Sequence, residues 1–241
     1  MTPYIIYEDE NVLAINKPAG MLVHAVRGKF AKSEPDLVDW IVDNRPEIKD
    51  VGDAKPHVGQ SGDVRPGIVH RLDRETSGVM LIAKNQKTFE YLKKLFQTRD
   101  IKKTYLALVH GKVEEGGVID KSIGIKDGSV KRTVHTARAK MVRDAVTEYE
   151  VLKHLTLNSK QLTLLKVYPK TGRTHQIRVH LASIGHPVVG DKLYGKKTDE
   201  KLLKRHFLHA DSIEFTAPDG RRVRLSADLP EELALFVDKL A

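Results

Sequence analysis

Within residues 70–78, HRLDRETSG, one carboxylate, Asp73, stands between Arg71 and Arg74, with Glu75 close behind. An acid among arginines is commonly a surface ion pair that contributes little to stability. Here the next five residues, VMLIA at 79–83, are apolar enough to form a buried strand. That strand and Leu72 would draw the loop against the core, where cationic neighbours favour the ionised form of Asp73. A carboxylate held charged in a water-poor cleft can act as a nucleophile. Thr76, Ser77 and Gly78 fit a tight turn whose hydroxyls and backbone groups would brace the loop.

Other chemistries find little support. The chain has no phosphate-cradling glycine loop of the Walker type, no dinucleotide fingerprint after a strand and no His-Glu-x-x-His. His175 and His180, five apart, fall on different faces of a helix and would not share a metal ion. Ser77 in TSG lacks the flanking glycines of a nucleophile elbow. A glycosidic hydrolase would need a second carboxylate. Glu75 is nearest to Asp73, but its position favours pairing with Arg74.

The elements that must position Asp73 can be read from the pattern on either side. YIIYED, Asn11 and VLAINKP read as an opening hairpin, followed by a strand-like GMLVHA. Residues 27–66 are rich in Gly, Pro, Asp and Lys and read as a long excursion. A short helix interrupts it, with Ser33 and Asp36 at capping-box spacing and Leu37, Trp40 and Ile41 on its apolar face. Phe89, Leu92, Leu95 and Phe96 have helical spacing, and KKTYLALVHGKV alternates as a strand ending at Gly111. Residues 121–143 are basic and irregular. TEYEVLKHL and QLTLLKVYP make an antiparallel pair turning at Asn158 and Ser159. TGRTHQIRVHLASIG opens a helix that stops at Gly185, on which Thr174, Arg178 and Leu181 share a face. A hairpin around Asp219 and Gly220 precedes a last helix, capped by Asp228, with Leu233, Phe236, Val237 and Leu240 inward. Hairpin-joined strands with helices between them, and no regular β-α-β alternation, argue for one α+β domain over residues 1–241, a mostly antiparallel mixed sheet flanked by helices and loops.

Composition bounds the partners. The 241 residues carry a net charge of +9, which favours polyanions, nucleic acid first among them. Aromatics make up only 6%, too few for a binder built mainly from base-stacking platforms. Cys is absent, which excludes disulfides and allows a reducing compartment. Residues 1–20 lack the pattern of a secretory signal, and no run of 18 uncharged apolar residues is present to span a membrane.

HRLDRETSG followed by an apolar strand resembles the catalytic motif of the RNA pseudouridine synthases of the RluA type. The likeness continues in family order through YEDENVLAINKPAGMLVH, KKTYLALVHG, AVTEYEVL, YPKTGRTHQIRVHLASIGHPVVGDKLYG and FLHADSIEF, over nearly the whole chain. The resemblance implies isomerisation of uridine in structured ribosomal or transfer RNA, without cofactor or metal, on a base taken out of its stack. It implies Asp73 as nucleophile, Tyr105 stacking on the uracil, and Arg178 as the cation paired with Asp73, where bidentate geometry would keep the carboxylate charged. Arg71 would fill the space that the nucleotide leaves. Lys102, Lys103, Lys131, Arg132, Arg138 and Arg173 are candidates for phosphate contacts. His70, Leu72, Thr76, Ser77 and Gly78 would support the loop. Many relatives carry an RNA-binding domain of the S4 type before the catalytic one; the chain opens at the catalytic segment, so target choice is expected to rest there or on a partner. Ala217 stands where relatives often place His before Pro. A monomer working in the cytoplasm is expected.

Overall fold

Two antiparallel strands, β1 (Tyr4–Glu8) and β2 (Val12–Lys17), form the expected opening hairpin in the computed structural model, which describes residues 2–24, 34–53, 65–126, 128–129, 131–196, 199 and 202–240. Asp9 shapes the turn, its carboxylate accepting the N–H groups of Asn11 at 2.8 Å and Val12 at 2.7 Å. Then follow α1 (Leu37–Asn44), β3 (Ser77–Ala83), α2 (Gln86–Thr98), β4 (Lys102–His110), β5 (Gly117–Asp120), β6 (Ile123–Lys126), β7 (Arg132–Thr133) and β8 (Ala139–Arg143). The chain continues with β9 (Val146–Leu157), β10 (Lys160–Pro169), α3 (Gln176–Ser183), β11 (Leu208–Thr216), β12 (Arg222–Ser226) and α4 (Glu231–Asp238). The architecture is α+β, as the pattern implied.

Four local expectations are corrected. Asp36 is itself the cap of α1, in a reciprocal box with Asp39, because its side chain accepts from Asp39 N–H at 3.0 Å. Ser33 lies outside the described residues, as do 27–33 and 54–64 of the excursion. Residues 20–24 form no strand, although Met21 and Val23 are buried; Gly20 N–H and Met21 O instead bond the Arg74 carbonyl and the Lys17 ammonium. Residues 121–143 are more regular than their charge suggested, since β6, β7 and β8 pair into a small sheet in the order β7-β6-β8. Pro230, not Asp228, caps α4, and Glu231 and Glu232 supply negative charge to its first turn.

The described chain divides into two compact units, residues 1–101 with 213–227, and residues 102–212 with 228–241. In the first, β2 lies between β1 and β3, paired to β3 from Val12 opposite Ala83 to Lys17 opposite Gly78. Every residue of β3 is buried. Phe89 and Leu92 of α2 pack with Val12, Ala14, Val79, Leu81, Ile213, Phe215 and Leu225, burying apolar surface at about 25 cal/mol per Å². Glu8, bonded first by Arg45 and then by Lys84, is held at a pKa of about 2 and ties the end of α1 to the hairpin.

In the second unit β4, β10, β9 and β5 pair antiparallel in that order. The β9–β10 turn forms where expected, with Asn158 and Ser159 both left-handed at φ 46° and 63°. Ile177 and Leu181 of α3, with Leu233 of α4 and Leu240 just beyond that helix, join Ala107, Leu108, Val109, Leu165 and Val167 in its core. β8 is an outer strand of the small sheet, with Met141 71% exposed and Val142 41% exposed.

Candidate active site

The loop that carries Asp73 is fixed at four points within the first unit. Leu72 is buried and holds it to the core, while Asp73 is half-buried and Arg71 exposed. Asp73's carbonyl accepts the N–H of Thr76 at 3.1 Å, closing a turn into β3. Thr76 and Ser77 are buried, and Gly78 adopts φ 120°, which disfavours any residue with a Cβ. His70 acts as a brace: its Nε2 accepts the N–H of Leu81 at 2.9 Å, and its ring stacks on Phe96 at 4.6 Å. An Nε2 that accepts an amide proton carries none of its own, so His70 is not poised to give one up from that atom. Glu75 approaches Arg74 at 3.8 Å, the neighbour its position favoured.

The fourth fixture is Lys17, which sequence reasoning missed. Its side chain is 0% exposed, and its Nζ donates to the carbonyls of Pro18 at 2.7 Å, Met21 at 2.9 Å and Arg74 at 3.1 Å. Gly20 N–H also donates to the Arg74 carbonyl, and Arg74 Nε returns a bond to Gly20 O, each at 2.9 Å. A buried ammonium is tolerable only with such acceptors around it. The result clamps NKPAG, residues 16–20, onto the backbone next to Asp73. A lysine ending an amphipathic strand gives no such signal by itself, because lysines ordinarily lie in water.

In the second unit the start of α3 is built by a chain of polar contacts. Gln176 Oε1 accepts from Thr171 Oγ1 at 2.6 Å and Arg173 N–H at 3.0 Å, and its Nε2 donates to Val146 O and Thr147 Oγ1, each at 3.0 Å. His180 bonds Thr147 Oγ1 through Nδ1 and Lys121 O through Nε2, each at 2.9 Å. A carbonyl cannot donate, so Nε2 bears the proton and Nδ1 accepts from the Thr147 hydroxyl. His180 is buried, which lowers its pKa. These bonds set the helix on β9 and thereby aim Arg178.

Arg178 is only 5% exposed and pairs bidentately with Asp191: Nε to Oδ2 at 2.6 Å and Nη2 to Oδ1 at 2.8 Å. Asp191 Oδ1 also accepts the N–H groups of Leu193 at 2.8 Å and Tyr194 at 3.1 Å. Burial alone would raise the pKa of Asp191, but the bonds and charge of Arg178 and the Leu193 N–H hold it below the ordinary carboxylate value. Tyr194 lies beside this pair, its ring centroid 5.3 Å from the guanidinium carbon. Asp191 and Tyr194 were not singled out from the sequence; Gly190-Asp191 within VVGDKLYG was the available signal, 13 residues beyond Arg178.

Tyr105 is half-buried on β4, opposite Val167 of β10. Of the expected phosphate contacts, Lys131, Arg138 and Arg173 are exposed, with Arg173 Nε donating to Asp144 O at 3.0 Å. Lys102 is exposed, its ammonium 5.8 Å from the centre of the Tyr168 ring, and Lys103 is half-buried, donating to Thr171 O at 3.3 Å. Arg132 is half-buried, and its Nε has no hydrogen-bond partner among the described residues. No helix among the described residues is long and apolar enough to cross a membrane.

Comparison with known proteins bears on the family of the chain. Residues 11–183 match the family model described as RNA pseudouridylate synthase. The chain is 35% identical to ribosomal large subunit pseudouridine synthase D of Nitrosomonas europaea, covering 98% of itself and 64% of that protein. It is 36% identical to the uncharacterized RNA pseudouridine synthase YlyB of Bacillus subtilis, covering 98% of itself and 72% of that relative. The chain thus spans about two thirds of the length of these relatives. Among solved structures, human RNA pseudouridylate synthase domain containing 4 superposes with a TM-score of 0.70 at 26% identity, over 98% of this chain and 92% of that one. With a family match across both motif-bearing units and relatives aligned along almost its whole length, the chain belongs to the RNA pseudouridylate synthase family.

Proposed function

We propose that the chain isomerises uridine within RNA to pseudouridine, with Asp73 as nucleophile. The observation that carries this reading is the preorganisation of the HRLDRETSG loop, whose Arg74 carbonyl is gripped by the buried ammonium of Lys17 one residue from a half-buried Asp73. Such fixing of a reacting group is what a positioned nucleophile requires. In the reaction the bond from the sugar C1′ to N1 breaks, the base turns, and C1′ bonds to C5. N1 gains a proton and C5 loses one, so the product is an isomer and no redox partner is consumed. Tyr105 stacks on the uracil and Arg178 serves as the cationic partner of Asp73. Arg71 occupies the place of the extruded nucleotide, offsetting part of an unstacking cost of a few kcal/mol. Lys102, Lys103, Lys131, Arg132, Arg138 and Arg173 take phosphates, in keeping with a net charge of +9. The name of the Nitrosomonas europaea relative favours large-subunit ribosomal RNA over transfer RNA as the substrate.

The test uses unmodified ribosomal and transfer RNA transcripts labelled with tritium at uracil C5, without metal or nucleotide. Isomerisation must release that tritium to water and leave the base attached. Asp73→Asn is expected to abolish release while RNA affinity stays within severalfold. Free uracil instead of pseudouridine would make the protein a hydrolase, and binding without turnover a chaperone. Normal turnover by Asp73→Asn would end the assignment of the nucleophile.

A further inference from the structure

The three strands of the small basic sheet do not simply lie on the surface of the second unit. Ile123 of β6 and Val134, just after β7, pack with Val179 of α3 and with Tyr194. The Tyr194 hydroxyl accepts the N–H of Arg132, the first residue of β7, at 2.8 Å. The same hydroxyl bonds His175 Nδ1 at 3.0 Å, at the left-handed residue (φ 57°) that opens α3. His175 also meets the Tyr194 ring edge-on, with centroids 5.8 Å apart. The ring lies beside the Arg178 guanidinium, and the Tyr194 N–H is held by Asp191, the carboxylate that fixes Arg178. One side chain therefore touches the main chain of the basic sheet, the first turn of α3 and the buried arginine.

We propose that Tyr194 is a positioning residue that couples RNA engagement on β6–β8 to the setting of Arg178. The inference rests on the proposed function and deepens it, by naming how a phosphate-binding surface is tied to the reacting end. A phenol suits the task. Its oxygen serves a donor and an acceptor on two elements, while its face is attracted to a cation. The hydroxyl and the ring thus act on different partners and can be removed separately. Tyr194→Phe takes the grip on Arg132 and His175 but leaves the ring beside Arg178. Tyr194→Leu takes both.

Unmodified large-subunit ribosomal RNA transcript serves as probe. Tyr194→Phe is expected to raise KM about fivefold to tenfold, the worth of one lost hydrogen bond or slightly more, with a clearly smaller change in the single-turnover rate at saturating RNA. The dependence of log affinity on log salt should become shallower by roughly one phosphate contact. Tyr194→Leu should add a fall of at least about tenfold in the saturated rate. In a Lys131→Ala/Arg138→Ala background, Tyr194→Phe should weaken binding by less than it does alone, because the surface it anchors has already lost its charges. Thermal melting of each variant checks that it is folded, and affinities are measured in Asp73→Asn so that binding is read independently of turnover. If wild-type protein makes no pseudouridine, the proposed function fails while the affinity and salt arms still report on the anchor. Unchanged KM and salt slope in Tyr194→Phe, full additivity with the charge deletions, or a Tyr194→Leu rate equal to that of Tyr194→Phe would overturn the proposal.

Discussion

Replacing Lys17 by Met is the most direct test of how the loop bearing Asp73 is held. Met matches the length of the lysine stem and removes only the ammonium, so packing in the wholly buried site is preserved. Three carbonyls lose their shared donor. Arg74 O keeps the Gly20 N–H, but Pro18 O and Met21 O lose the Lys17 bond, at about 1–3 kcal/mol each. Relief from burying a charge offsets part of that loss, leaving a net cost of about 3 kcal/mol. For a chain of 241 residues this corresponds to a melting-point drop of about 6–12 °C. The functional effect should be of similar size, because displacement of a reacting group by about 1 Å can cost about a hundredfold in rate, or about 2.7 kcal/mol of barrier. Thermal denaturation and single-turnover tritium release, the latter well below the melting point, read the two separately. A variant that melts within about 2 °C of wild type and turns over at the same rate would show that the ammonium does not organise the loop. A lowered melting point with an unchanged rate would confine its role to stability.

Asp191→Ala leaves a buried guanidinium without the carboxylate that fixes it, and should cost about 3–5 kcal/mol in urea unfolding; Asp191→Asn, which keeps an acceptor for Leu193 and Tyr194, should cost less. Both should lower turnover by misaiming Arg178, and a fully active Asp191→Ala would contradict that. Acid should weaken the fold through His180. Its folded pKa is lowered by burial, so the unfolded chain takes up the proton first. Its contribution is therefore complete above the unfolded value near about 6.5 and is lost as pH falls below it. Urea midpoints should be level from pH 8 to 7 and decline toward pH 5, and His180→Gln should flatten part of that decline; an unaltered slope would assign it to other groups.

Strong local patterns were enough to place much of the fold. Val79 to Ala83 had to be interior, Asn158-Ser159 had to turn, and Phe89 and Leu92 had to face a core, because each pattern reflects the backbone geometry it produces. The small sheet escaped because its strands are two to five residues long and basic, with Ile123, Ile125, Met141 and Val142 too few and too scattered to show a period. At the site, Asp73 was visible through its crowded neighbours in one short stretch. Lys17, Asp191 and Tyr194 act through contacts 57, 13 and 62 positions away in the chain, and only folding makes them neighbours. His180 was legible as a histidine but not as a brace, since its partners Thr147 and Lys121 lie on other elements.

The exposed strand β8 has a consequence for the behaviour of the protein in concentrated solution. An outer strand bearing Met141 and Val142 is the kind of edge on which a second copy could continue the sheet. Lys140 and Arg143 bracket those residues, and Met141 is kinked into the left-handed region at φ 51°, so an approaching twin meets like charge and a broken ladder. The first of these protections is electrostatic, and a polyanion lying across the strand cancels it. Protein without RNA should stay dispersed, whereas substoichiometric RNA at low salt should bring copies together, and added salt should separate them again.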